Sequence, residues 1–240
     1  MTLPIQVHSA RALALGLVRR CTCTAILFLA LPTVPLAAPG AESAAAAAPE
    51  PPTVVVLGDS LAAGYGLDLT EAFPALLQEL ATKTGTQAKV INAGVSGDTT
   101  AGGLRRIEWL LKRRIDVLVL ELGGNDGLRG MPVAVTRTNL QAIIDRTKEK
   151  YPAVTVVVAG MQMPPNMGRE YNEAFARIFP ALTKTNGAAL VPFLLEGVGG
   201  RPELNQPDSI HPTAEGQKIV AENVWKVLKP VLEQRRRGNF

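Results

Sequence analysis

The order of apolar patterns along the chain predicts an α/β fold, a three-layer α/β/α sandwich around a five-stranded parallel sheet. Three observations predict it. Short β-branched apolar runs recur five times from Thr53 onward, amphipathic stretches of helical length separate them, and no internal repeat or second pattern interrupts the alternation. Strands joined through helices need right-handed crossovers, which makes a doubly wound, flavodoxin-like order the simplest topology. At 240 residues and 47% hydrophobic the chain is long enough to bury one good core.

The strand candidates are TVVVLG (53–58), AKVINAG (88–94), IDVLVLELGG (115–124), AVTVVVAG (153–160) and AALVPF (188–193). Each is short, β-branched and bounded by Gly or Pro, as buried parallel strands are. Residues 71–84, 99–114, 133–150, 169–185 and 213–233 carry apolar positions at helical spacing and fill the intervals. In such sheets ligands bind at the carboxyl ends of the strands, so function is expected in the loops 58–67, 92–100, 123–132, 160–168 and 193–211.

The amino terminus reads differently. Arg11, Arg19 and Arg20 precede an apolar run from Thr24 to Ala38 that ends in small residues, the pattern of a signal peptide over 1–38. Pro32 and Pro35 make the run too interrupted for a stable membrane-spanning helix, and a segment retained as an anchor is the alternative reading. Residues 39–52, with AAAAA and PEPP, form a low-complexity linker; the catalytic domain is expected over 53–232 and a basic tail over 233–240. An exported location, periplasmic or secreted, follows from that reading. Cys21 and Cys23 would leave with the peptide, so a thiolate nucleophile and Cys-ligated zinc are excluded. Removing the three arginines also lowers the formal net charge from +4 to +1. The remaining basic groups, Arg105, Arg106, Lys112, Arg113 and Arg114 on one helix and Arg235 to Arg237 at the tail, read as solvated faces and a frayed end rather than a nucleic-acid surface.

Only two histidines are present, and His8 falls in the predicted signal peptide. An imidazole base near neutral pH would therefore be His211. Asp208 stands three residues earlier in PDSIHPTAEG, where a carboxylate can reach back to Nδ1; spacing alone fits an ordinary helix start equally well. A hydroxyl nucleophile belongs on another strand-end loop, and Ser60 in VVVLGDSLAAGYG is best placed, although a serine there also suits a helix N-cap. Ala62 breaks the Gly-x-Ser-x-Gly elbow of α/β-hydrolases, and Asp59 is expected to shape the turn. Two further loops offer oxyanion donors: the Gly94 backbone N–H in INAGVSGDTT and the Asn125 amide in ELGGNDGLRG. Leu128, Met131 and Met163, with Met161 and Met167, are expected to contact an acyl chain or to pack beneath the loop, and Gly123, Gly124, Gly127 and Gly130 would let the 123–132 loop move.

GDSLAAGYG, the Gly94 loop, GGND and the terminal DxxH resemble, in order, the four blocks of the SGNH (GDSL) hydrolase family, over roughly residues 53–232. GGNDGLRGMP and MPPNMGREYNEAF resemble its bacterial periplasmic thioesterase, arylesterase and lysophospholipase branch. The resemblance implies Ser60 as nucleophile, Gly94, Asn125 and the Ser60 N–H as oxyanion donors, Asp208 with His211 completing the triad, a flavodoxin-like fold and no cofactor. It implies a small-molecule ester or thioester substrate, with transient lipid contact as a further option. Two other readings stay open on the residues: a carbohydrate O-acetyl esterase acting on wall polysaccharide, and a non-catalytic flavodoxin-like module that binds an anion at helix N-termini. The second leaves Asp208 and His211 unexplained. A metal hydrolase lacks ligands, since one histidine and no clustered carboxylates remain.

Overall fold

A computed structural model describes residues 50–238; the predicted signal peptide and most of the linker lie outside them. Five parallel strands, β1 (Thr53–Gly58), β2 (Lys89–Gly94), β3 (Val117–Glu121), β4 (Thr155–Ala159) and β5 (Ala189–Val191), lie in the order β2-β1-β3-β4-β5. That is the flavodoxin-like order, with the chain reversing its direction of travel between β2 and β3. β1 and β3 are buried throughout, apart from a half-buried Thr53, and their Val and Leu residues form the middle of the core. β2, at an edge, is only half-buried, so the expectation of five buried strands holds for the interior ones.

Helices cover both faces. α2 (Phe73–Lys83) packs on α8 (Ala214–Arg236), while α3 (Thr100–Leu110) packs on α5 (Val133–Lys150), which in turn meets α7 (Ile178–Asn186). The predicted 169–185 helix is divided into α6 (Arg169–Ala176) and α7. Pro180 accounts for the break: it has no N–H for the Ala176 carbonyl, and its ring crowds that oxygen. Two one-turn helices at strand ends, α1 (Ser60–Ala63) and α4 (Gly124–Leu128), carry site residues.

The reading of solvated faces holds for Arg105, Lys112, Arg114, Arg236 and Arg237, which are exposed, and fails for Arg106 and Arg235. Arg106 turns inward from α3, donating from Nε to Asp98 (2.7 Å), from Nη1 to the Ala93 carbonyl (2.7 Å) and from Nη2 to the Gly58 carbonyl (2.8 Å). One guanidinium thus ties together the ends of β1 and β2. At the carboxyl terminus α8 continues through Arg236, and Arg235 donates to the Ala153 carbonyl and Thr155 hydroxyl. The first half of the expected 233–240 tail is therefore the last turn of a docked helix. No helix among the described residues is long and apolar enough to cross a membrane.

Candidate active site

Register places the site before any side chain is considered. Gly58 pairs with Gly94 on one side and Glu121 on the other, so three strands end in one row. Just beyond it, Asp59 caps α1 by accepting the Leu61 N–H (3.0 Å), and the helix closes at Gly64 in the left-handed region. Ser60 is thus the first helical residue rather than the cap, and its own N–H has no acceptor within the helix.

The Ser60 hydroxyl lies 2.9 Å from His211 Nε2, and His211 Nδ1 lies 2.7 Å from Asp208 Oδ2. Asp208 Oδ1 accepts the backbone N–H groups of Ile210 and His211, both at 3.0 Å. Those two donors, then the imidazole, pull the Asp208 carboxyl down to about 2. An ionised Asp208 can only accept, so the proton sits on Nδ1 and the Nε2 lone pair faces Ser60. Closing this turn requires Ser209 at φ 62, the one positive φ outside glycine among the described residues. Tyr65 lays its ring against His211 with centroids 4.5 Å apart, and Gln206 donates to both the Tyr65 and Pro212 carbonyls. The base is therefore braced from the nucleophile's own loop.

The expected donors are placed less simply. Gly94 N–H, the predicted oxyanion donor, is already given to Asn92 Oδ1 at 2.8 Å, and Asn92 Nδ2 in turn donates to the Ala62 carbonyl. The glycine is needed there for another reason: a Cβ at 94 would sit 2.7 Å from the Ala62 carbonyl carbon and closer still to the Ala63 nitrogen. Gly94 is thus a close-approach residue between β2 and α1. Three residues on, Gly97 adopts φ 77, and its N–H meets no acceptor among the described residues. Asn125 Nδ2 donates to the Asp98 carbonyl (2.9 Å) and to Asp59 Oδ2 (3.2 Å), which holds the amide beside Ser60's neighbour.

Beneath these groups lie two carboxyls. Glu121 is fully buried at the end of β3, accepts the Asp59 N–H at 3.1 Å, and has Oε1 unpartnered. Burial, and secondarily the Asp59 charge, hold it well above the usual carboxylate range; burial likewise pushes Asp59 up to about 6. Sequence reading passed over Glu121, yet its signal was available as a single acid inside the apolar run IDVLVLELGG. Asn92, Asp98 and Arg106 carried no such mark, because each is a common polar type in a helix or loop.

A cavity of about 520 Å³ opens from Ser60, Asn125 and His211, and Leu128, Met161, Met163, Phe193, Leu195 and Ile210 are among its lining residues. Met163 lies against α4 where Gly127 leaves room, since a Cβ there would be 2.7 Å from its Cε. Met131, expected beside Leu128 and Met163, is exposed and does not line the cavity; the Tyr171 hydroxyl donates to its carbonyl. Met167 is also outside the lining and packs at the edge of the core. The 123–132 segment is partly the helix α4 rather than an open loop. Asp126 accepts both the backbone N–H and the hydroxyl of Thr100, which fixes α4 to the start of α3.

Residues 56–219 match the model of the GDSL-like Lipase/Acylhydrolase family. The chain is 45% identical to Esterase TesA of Pseudomonas aeruginosa over 181 residues, spanning 75% of this chain and 89% of that one. It is 41% identical to Thioesterase 1/protease 1/lysophospholipase L1 of Escherichia coli K12, over 75% of this chain and 85% of that one. A crystal structure of TesA superposes with a TM-score of 0.71 at 45% identity, covering 74% of this chain and 98% of the other. A serine, histidine and aspartate in hydrogen-bonded sequence at the strand ends is the arrangement that acyl transfer to serine requires. The chain belongs to the GDSL-like lipase/acylhydrolase family and is a serine ester hydrolase.

Proposed function

We propose that the enzyme hydrolyses medium-chain acyl esters and thioesters through an acyl-enzyme on Ser60. The Ser60–His211–Asp208 chain of hydrogen bonds carries this reading. His211 Nε2 takes the hydroxyl proton as Oγ attacks the carbonyl carbon, and ionised Asp208 stabilises the imidazolium. The proton then passes to the leaving alcohol or thiol, and a water activated by His211 releases the acid. The Ser60 N–H, the Asn125 amide and the Gly97 N–H are proposed as oxyanion donors. For Gly97 the support is an unpaired N–H next to Asp98, whose carbonyl already meets Asn125. Gly94 is not retained, since Asn92 takes its single N–H at 2.8 Å, whereas Asn125 has two N–H groups and the one on Asp59, at the longer 3.2 Å, can be shared with the oxyanion.

The apolar cavity favours an acyl chain over a sugar, with Leu128 and Met163 as substrate contacts. The names of the relatives above, esterase, thioesterase and lysophospholipase, point the same way. The proposed location is outside the cytoplasm, from the Arg-rich start and apolar run of residues 1–38. Ser60→Ala is expected to abolish turnover of chromogenic esters and labelling by a fluorophosphonate while leaving the thermal midpoint nearly unchanged. Near wild-type turnover by the purified variant would overturn the assignment, and a chain-length profile peaking sharply at acetate would overturn the substrate class.

A further inference from the structure

A carboxamide has two ends of nearly equal size, so its hydrogen-bond partners alone decide which end faces a site. Asn125 serves the oxyanion only through its NH2 end. Both groups that receive that end are acceptors: the Asp98 carbonyl at 2.9 Å and Asp59 Oδ2 at 3.2 Å. Asp59 is itself pinned, with Oδ1 accepting the Leu61 N–H and its backbone N–H given to Glu121. Capping α1 needs only one side-chain oxygen, which a serine would supply. The second oxygen of Asp59 is the one aimed at Asn125.

We propose that Asp59 is a positioning residue for Asn125: its carboxylate, together with the Asp98 carbonyl, holds the NH2 end of the amide on the Ser60 side of the site. The inference rests on the reading of Asn125 as an oxyanion donor. A protonated Asp59 carries an O–H that can be donated to a turned Asn125, so only the ionised form adds its hold to that of the Asp98 carbonyl. The groups that face Asp59 are the Leu61 N–H on its own helix, Glu121 on β3, Asn125 on α4, Asp98 in the loop after β2 and His211 in the loop before α8. Arg106 faces Asp98 and Glu121 from α3. Because burial dominates among these influences and lifts Asp59 to about 6, the change falls in mildly acidic solution.

A role limited to charge predicts the opposite sign, since removing a carboxylate beside a developing oxyanion would raise the rate. The test compares kcat and KM from pH 5 to 8.5 for wild type, Asp59→Asn, Asn125→Ala and the double variant on one chromogenic ester. Asp59→Asn is expected to lower kcat by about ten- to a hundredfold, below the roughly hundred- to thousandfold for a lost donor, with KM within about twofold. Its kcat profile should lose the mildly acidic inflection that belongs to Asp59. The double variant should be no slower than Asn125→Ala, because both act on one amide. An unchanged or raised kcat in Asp59→Asn, or losses that multiply in the double variant, would overturn the proposal. A fully active Asn125→Ala would instead overturn the donor reading beneath it. Should Asp59→Asn fail to fold, the Asn125 side-chain NH2 resonances, followed against pH in His211→Gln protein, decide the matter. They should shift through the mildly acidic range, and a flat titration counts against Asp59.

Discussion

Replacing Gly94 with alanine separates two roles for one glycine, and its effect can be worked from the structure. The new Cβ would lie 2.7 Å from the Ala62 carbonyl carbon and 2.9 Å from the Ala62 Cβ, with the Ala63 nitrogen nearer still. Ordinary contacts begin near 3.5 Å, so β2 and α1 must part by about 1 Å. The obstacles are mostly backbone, and no rotamer change relieves them. Overpacking of this kind costs about 1–3 kcal/mol, offset by about 0.4–1 kcal/mol from a less flexible unfolded chain. The net loss lowers the thermal midpoint by about 2–8 °C in a domain this size. Since α1 carries Ser60, the same shift disturbs the 2.9 Å contact with His211, and a displacement of that order costs about a hundredfold in kcat. Calorimetry and ester kinetics on the same preparation provide the check. A donor-only role for Gly94 predicts little change, because alanine keeps the N–H; wild-type midpoint and kcat together would refute the packing argument.

Three further outcomes follow from the carboxyls. Asp208→Asn should keep the turn, because the amide oxygen can still accept the N–H groups of Ile210 and His211, but its NH2 would face Nδ1 and force the imidazole proton onto Nε2. A kcat loss of about 10³- to 10⁴-fold is expected, as in other triads with this change. Asp208 is depressed to about 2 in the fold, so its pairing contributes fully above the ordinary carboxylate range and is lost as pH falls from about 4 towards 2; thermal midpoints over that window should flatten in the variant. Glu121→Gln should leave kcat at pH 7.5 within about twofold, since burial already disfavours the charged form and the amide oxygen still accepts the Asp59 N–H, whereas Glu121→Ala strands that N–H at a cost of about 1–3 kcal/mol. An inactive, folded Glu121→Gln protein would show that the group's charge is used.

The triad and fold class were legible because each leaves a mark in one dimension: β-branched runs at intervals, one histidine from Thr53 onward, and an aspartate three residues before it. Their supports were not legible. Arg106 is one of five basic residues in its stretch, and only the carbonyls that β1 and β2 present at their paired ends single it out. Gly94 and Gly97 are two glycines in one loop; the choice between them depends on where α1 presses, which no local spacing encodes. Met131 is absent from the cavity lining for a similar reason, since the chain turns at Gly130, in the left-handed region, just before it. The helix break at Pro180 was readable from its missing N–H and was absorbed instead into a long amphipathic run.

Ser60 and His211 lie 151 residues apart, and the hydrogen bond between them joins the first strand's loop to the last helix's approach. A ribosome-bound chain that has completed β1 through β5 holds its serine without a base. Hydrolytic competence is therefore a report on the docking of α8 and the loop before it, beyond formation of the sheet. Recovery of ester turnover after denaturation should keep time with that docking rather than with formation of the sheet.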